Sequence, residues 1–201
     1  MSVRIERLSG LGLSDGIDAV ARLRMTVFRE WPYLYDGDLA YEADYLATFA
    51  RGAGSIIVAA IDVDEIIGAA TGSPLAEHTE EFGPLFDSHG FDSATFFYCG
   101  ESVLLSAYRG QGIGHAFFDH REAHARALNE NEGHGFTHST FCGVVRSVDD
   151  ARWPPDYRPL DGFWEKRDYR KVPGLVGHYD WREIGDADET RKDMQFWMRE
   201  L

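Results

Sequence analysis

The sequence predicts a mixed α/β (α+β) domain, a central sheet flanked by helices, and three observations carry that prediction. Short β-rich runs alternate with stretches of helical period. Near the middle, an apolar strand passes through a glycine-rich turn straight into an amphipathic helix. Hydrophobic residues make up 44% of the chain and aromatics 13%, enough for a core and too much for a disordered segment. Domains commonly run to roughly 100–200 residues, so residues 1–201 are read as a single one.

The first expected helix covers residues 13–28, where Ile17, Val20, Ala21, Val27 and Phe28 recur at near-helical spacing and Ser14 or Asp15 can cap the start. Residues 30–38 follow as a turn-rich loop, broken by Pro32 and Gly37 yet carrying Trp31, Tyr33 and Tyr35. A second helix is expected over 39–50. Residues 55–61 and 66–71, separated by the polar break Asp62-Val63-Asp64-Glu65, read as a β-hairpin. The polar stretch 76–92 holds a short helix around 80–86. Then come a strand over 95–105, a helix over 112–128, a strand over 136–145 and a loop over 149–157 with Trp153-Pro154-Pro155. A helix over 159–166 and strands near 177–181 and 194–199 complete the order, with no internal repeat.

Charge narrows the function classes. Twenty Lys and Arg stand against 34 Asp and Glu, a net charge of −14. Duplex nucleic acid is a poor partner for such a chain, because affinity there comes from neutralising phosphates. No apolar run approaches the roughly 20 residues that span a bilayer. The opening MSVRIERLSG lacks the apolar segment of a secretory signal, so the expectation is a cytoplasmic protein with neither membrane nor nucleic-acid partner. Cys99 and Cys142 are too few for a disulfide framework and lack zinc-ligand spacing. His120-Arg121-Glu122-Ala123-His124 puts two histidines on one helix face, but the metalloprotease motif needs Glu directly after the first, so no metal is implied.

The most informative stretch runs from Tyr98 to His115. Gly110, Gly112 and Gly114 alternate where the strand turns into the helix. Glycines let a ligand approach the backbone, and the first N–H groups of a helix are unpaired and partly positive, so a phosphate is the natural occupant. A P-loop needs Gly-Lys-Ser or Gly-Lys-Thr, and neither is present. A dinucleotide fingerprint needs a glycine where His115 stands, and expects to open the domain. A third pattern is Arg or Gln, two residues, Gly, one residue, then Gly or Ala; Arg109, Gly112 and Gly114 match it. In that motif the chain resembles the acyl-CoA-dependent GNAT superfamily of N-acyltransferases. The order of elements resembles it too, as does the late segment Gly162-Phe163-Trp164-Glu165-Lys166-Arg167-Asp168-Tyr169, and the likeness covers about residues 3–198.

That resemblance implies a mixed, mostly antiparallel sheet and acetyl-CoA as acyl donor. It implies that backbone N–H groups of Gln111, Gly112, Ile113 and Gly114, with Gly110, cradle the pyrophosphate, and that Leu104 and Leu105 pair with the pantetheine arm. Backbone N–H groups near Leu105 would polarise the carbonyl. Arg109 and His115 would support the phosphates; a solvated arginine is the plainer reading of Arg109.

An unperturbed amine of pKa about 10.4 must lose a proton before it attacks. Glu101, on the strand before the loop, is the expected base; the competing reading is a carboxylate merely paired with an arginine. Many GNAT enzymes carry an acid tyrosine in the late helix, but Trp164 stands in that slot and has no acidic proton. Tyr169 is the nearby candidate, though a packing role competes, and Tyr157 and Tyr98 are further ones. Cys142 is read as an inert core thiol before a nucleophile.

Trp31, Tyr33 and Tyr35 beside Asp36 and Asp38 suit an amine-bearing acceptor, or else plug the loop onto the sheet. Arg146 and its neighbours up to Arg158 would form a second wall, able to clamp a substrate carboxylate. The expected acceptor is therefore a small polar or amino-acid-like amine. A non-catalytic acyl-CoA sensor and an NAD-type nucleotide binder are the competing readings. The apolar Phe196-Trp197-Met198 tail fits either a homodimer contact or packing within one subunit.

Overall fold

A computed structural model describes residues 3–8 and 10–201 of the chain. The order is β1 (Arg4–Arg7), α1 (Gly10–Phe28), α2 (Leu39–Phe49), β2 (Ile56–Asp62), β3 (Glu65–Pro74), α3 (Thr79–Ser88), β4 (Phe96–Tyr98), β5 (Ser102–Leu104), α4 (Ile113–Glu132), β6 (His138–Val144), α5 (Asp161–Glu165), β7 (Arg170–Trp181) and β8 (Thr190–Glu200). The strands form one sheet in the order β1-β2-β3-β4-β6-β8-β7, with β5 paired to β3 alone. Among the described residues the strands pair antiparallel, except β4 with β6.

Two faces are covered, which is why β2 and β3 read as near-continuous apolar runs. Phe117 and Phe118 of α4 pack on one face against Ile56, Val58, Phe97, Phe141 and Trp197 of the sheet. On the other face, Val20 and Leu23 of α1 and Leu46 of α2 pack on Ile57, Ala59 and Val103. Phe82 and Phe86 of α3 continue that layer on Phe96, Tyr98, Cys142 and Phe196.

Several expectations shift. α1 starts at Gly10, so Ser14 and Asp15 lie inside the helix and do not begin it; their side chains are outside the described ones. β1 was not expected from sequence, because Arg4-Ile5-Glu6-Arg7 is a short, charged edge strand with one apolar residue. β7 and β8 are longer than read, since their pairing with each other extends past the apolar cores into Arg170, Lys171, Thr190 and Arg191. The Phe196-Trp197-Met198 segment belongs to β8, between β6 and β7, with Phe196 and Trp197 buried. Packing within the subunit accounts for Phe196 and Trp197.

The single strand expected over 95–105 is in fact two. Thr71 of β3 accepts from the Gly100 N–H and donates to the Glu101 carbonyl, both at 3.1 Å, so two residues oppose one in a β-bulge. A Cβ at Gly100 would lie 2.8 Å from Thr71 Oγ1, which makes glycine necessary at the bulge. Beyond it β4 stays with β6 while β5 leaves with β3 alone, opening a fork. Arg121 of α4, buried, fills the base of the fork: Nη1 donates to the Thr71 and Glu101 carbonyls at 3.1 and 2.8 Å, and Nη2 to Ser102 Oγ at 3.0 Å.

Candidate active site

The fork leaves one edge of β5 open. Leu105 donates its N–H to Ile67 and its carbonyl accepts from Tyr108, each at 3.0 Å. Strand alternation then turns the backbone groups of Ser102 and Leu104 to the other edge, where no strand pairs. Leu104 therefore keeps its N–H open on that edge, while its carbonyl accepts from Arg109 Nε. Leu105 does not fit the expected pairing with a ligand arm, since both its backbone groups are committed; nor can its N–H polarise a substrate carbonyl.

At the end of β5 the chain enters α4. Gly110 and Gly112 take φ values of 77° and 84°, and Gly112 caps the helix with no side-chain hydrogen bond. The first N–H groups of a 20-residue helix are thus left to an external acceptor. A Cβ at either glycine would meet nothing within 4 Å, so the space over the loop is open. Gln111 braces the loop by donating from Nε2 to the Ala107 carbonyl, 3.2 Å. Ile113 is buried and anchors the helix start, while Gly114 lies against Phe163. His115 is exposed, its ring tilted against that of Phe163 with centroids 4.8 Å apart, and stands 3.3 Å from Arg167. Arg109 bends back: Nε donates to the Leu104 carbonyl at 3.2 Å and Nη2 to Glu30 Oε2 at 2.7 Å. It links the loop to the end of α1. Open backbone, uncapped helix start and a free strand edge together suit the diphosphate and amide arm of coenzyme A.

Glu101 stands at the fork on the α1–α2 face. Its Oε2 pairs with Arg24 of α1, which also holds Glu42 Oε2 of α2 at 2.5 Å; Arg24 and Glu101 are 10% exposed and Glu42 1%. Glu101 Oε1 is buried without a hydrogen-bond partner. The arginine-paired reading of Glu101 holds for one oxygen and leaves the other unspent. Arg24 and Glu42 were missed from sequence, although each breaks an apolar helix face, Arg24 beside Val20 and Phe28 and Glu42 beside Leu46. Such a charge on an apolar stripe is a readable signal.

Tyr169 is fully buried; its hydroxyl donates to Glu122 Oε1 at 3.1 Å and lies 2.8 Å from Ser139 Oγ. This corrects its expected acid role: the hydroxyl is sealed in the α4 face, away from Glu101. Trp164 is on that face too, against Phe141 and Trp197 at 4.9 and 5.1 Å. Burial pushes the Cys142 thiol up to about 12, so it is a neutral core group.

The two expected acceptor walls do meet. Trp31 packs against Trp153 and Tyr157 at 5.5 and 6.1 Å. Tyr33 lies against Phe28 and Trp181, and Tyr35 turns toward Glu42. Arg146 is not a free clamp: it donates to the Pro32 and Tyr33 carbonyls at 2.6 and 3.1 Å and pairs with Glu183 at 2.7 Å. Its guanidinium also lies 5.4 Å from the Trp31 ring centroid, so its role is to hold the wall. Among the described residues no helix is long and apolar enough to cross a membrane.

The acetyltransferase (GNAT) family model matches residues 18–137. A comparison with curated protein sequences finds no match. Among solved structures, an acetyltransferase from Streptococcus agalactiae 2603 aligns with a TM-score of 0.61 at 13% identity, covering 99% of this chain and 98% of that one. An aminoglycoside 6'-N-acetyltransferase complexed with coenzyme A gives 0.57 at 15% identity, over 98% and 96%. A ribosomal-protein-alanine N-acetyltransferase from Brucella melitensis gives 0.56 at 15%, over 98% and 99%.

Proposed function

The chain belongs to the acetyltransferase (GNAT) family, and from that premise we propose that it moves an acetyl group from acetyl-CoA to the primary amine of a small polar or amino-acid-like acceptor, by direct attack in a ternary complex. The observation that carries this reading is Glu101: a carboxylate withdrawn from solvent, one oxygen held by Arg24 and the other unpartnered, at the fork beside the open edge of β5.

Gly112 and the N–H groups opening α4 hold the diphosphate, and Leu104 pairs with the pantetheine amides and turns its N–H toward the thioester oxygen. Bound acetyl-CoA supplies the activated carbonyl carbon. Glu101 Oε1 takes the proton of the acceptor ammonium, directly or through water, and Arg24 fixes the orientation of the carboxylate. Trp31, Tyr33, Trp153 and Tyr157 form an aromatic wall suited to an amine, with Glu42 adding negative charge behind it.

Titration calorimetry with acetyl-CoA tests the first half. Micromolar binding by the wild type, lost in Gly112→Trp, is expected. Glu101→Gln should then keep that affinity and lose thiol release with an amine acceptor. A Glu101→Gln protein that turns over at the wild-type rate would exclude Glu101 as the base. Acetyl-CoA binding without turnover on a broad amine panel would favour the sensor reading.

A further inference from the structure

A buried polar atom without a partner costs stability, and native proteins keep few of them. Two such atoms belong to facing residues at the fork: Glu101 Oε1 and Thr71 Oγ1, neither with a hydrogen-bond partner among the described residues. Resting on the acetyl-transfer reading, we infer that Thr71 is a positioning residue: its hydroxyl and Glu101 Oε1 share one bound water, which keeps that oxygen turned away from Arg24.

The bulge makes the two residues neighbours. The Thr71 N–H donates to the Glu101 carbonyl at 3.1 Å, so they face each other across the strand pair. Strand alternation puts the Thr71 side chain on the same face as that of Ala69, which packs in the layer under α1 and α2. Glu101 lies on that face too, since it pairs with Arg24 of α1. A Cβ at Gly100 would come within 2.8 Å of Thr71 Oγ1, so the hydroxyl sits over the bulge. Thr71 is 0% exposed and the Glu101 side chain 10%. The other polar atoms of Thr71 are taken: its carbonyl accepts from the Gly100 N–H and from Arg121 Nη1, at 3.1 Å each. The adjacent serines are taken as well. Ser73 Oγ lies 3.0 Å from His78 Nε2, and Ser102 Oγ accepts from Arg121 Nη2 at 3.0 Å.

Arg24 is the reason Glu101 needs such a partner. A guanidinium and a carboxylate favour a two-pronged pairing that uses both oxygens. Here the guanidinium is divided: Nε holds Glu42 Oε2 at 2.5 Å, and Nη1 holds Glu101 Oε2. The rings of Tyr45 and Phe28 lie 4.8 and 5.2 Å from its central carbon and keep it in place. Glu101 is therefore held through one oxygen, and turning the other into the guanidinium would occupy the atom that has to take the acceptor proton. A water bonded to both Thr71 Oγ1 and Glu101 Oε1 opposes that turn. Threonine suits the task, because a hydroxyl both donates and accepts, and a buried water keeps its place with about two to four polar partners.

A crystal structure of the full chain tests the bridge directly. One water within hydrogen-bond distance of both atoms is expected in the wild type and none there in Thr71→Val; a wild type without that water would overturn the inference. Stability gives a second reading. An idle buried hydroxyl makes Thr71→Val neutral or stabilising, whereas a bridging one makes it destabilising, with melting lower by about 3 °C. Most of that loss should vanish in a Glu101→Leu background, where the bridge has already lost its other end. Equal losses in the two backgrounds would show that the residues are not coupled and sink the proposal. Turnover then tests the positioning role, on an amine that the wild type acetylates. Thr71→Val should lower kcat about tenfold with KM and acetyl-CoA affinity kept, and Thr71→Ser should restore kcat. An unchanged kcat in Thr71→Val would overturn the role of Thr71 and leave the acetyltransferase reading standing. A wild type that binds acetyl-CoA and acetylates no amine would overturn both.

Discussion

Arg146 Nη1 and Glu183 Oε1 meet at 2.7 Å with both side chains at most 10% exposed. The same carboxylate takes Arg152 Nη1 at 2.5 Å and has Lys192 Nζ at 3.6 Å, while the same guanidinium caps two carbonyls of the loop over 30–38. One buried carboxylate therefore ties both walls of the candidate acceptor cleft to the end of the sheet.

Acid should loosen that tie. Burial alone would raise the Glu183 carboxyl, but hydrogen bonds from Arg152 and Arg146 and the charges of Arg146 and Lys192 hold it below its ordinary range. A group depressed in the folded state adds stability above its unfolded pKa, about 4.3 for Glu, and that stability is lost as pH falls through the folded value. Denaturant titrations should show stability dropping below about pH 4–5. Glu183→Gln should cost about 3 kcal/mol at pH 7 and flatten the acid-side fall. A variant with the wild-type pH profile would show that the fall originates elsewhere.

Burial decides how much each ion pair matters. Arg24→Met leaves Glu42 and Glu101 withdrawn from water without their counter-charge, and should cost about 3–5 kcal/mol. Glu30→Gln breaks a pair whose members are each nearly half exposed, and should change stability by less than about 1 kcal/mol. Comparable losses of melting temperature in the two variants would contradict this ranking.

Gly112 carries backbone strain that other residues tolerate poorly. At φ 84° an alanine should cost about 1–2 kcal/mol from the left-handed conformation alone, since its Cβ would meet nothing within 4 Å. Thermal unfolding of Gly112→Ala measures it; no loss would mean that the loop adopts another conformation.

Both cysteines are buried, and burial raises both thiols. An aromatic disulfide reagent should therefore react slowly with the native protein and release two equivalents after denaturation. A fast native equivalent would point to an accessible thiol and reopen Cys142 as a nucleophile.

Local order was legible in the sequence because it follows from local chemistry. Apolar period marked α1, α2 and α4, the polar break marked the β2–β3 hairpin, and alternating glycines marked the anion-ready start of α4. Glu101 stood out for its place before that loop. The roles that were misassigned all depend on what approaches from elsewhere in the chain. Tyr169 is sealed on the face opposite Glu101, Arg146 is spent on Glu183, and Leu105 is committed to Ile67 and Tyr108. Strand alternation, the bulge at Gly100 and the packing of α1 against the fork decide which polar atoms remain free. Sequence alone thus determined most of the segments that form, β1 and the break between β4 and β5 excepted, and marked a glycine-rich helix start as a place for an anion. Tertiary structure decided which side chains still have a hydrogen bond to give, because that depends on partners brought together only by folding.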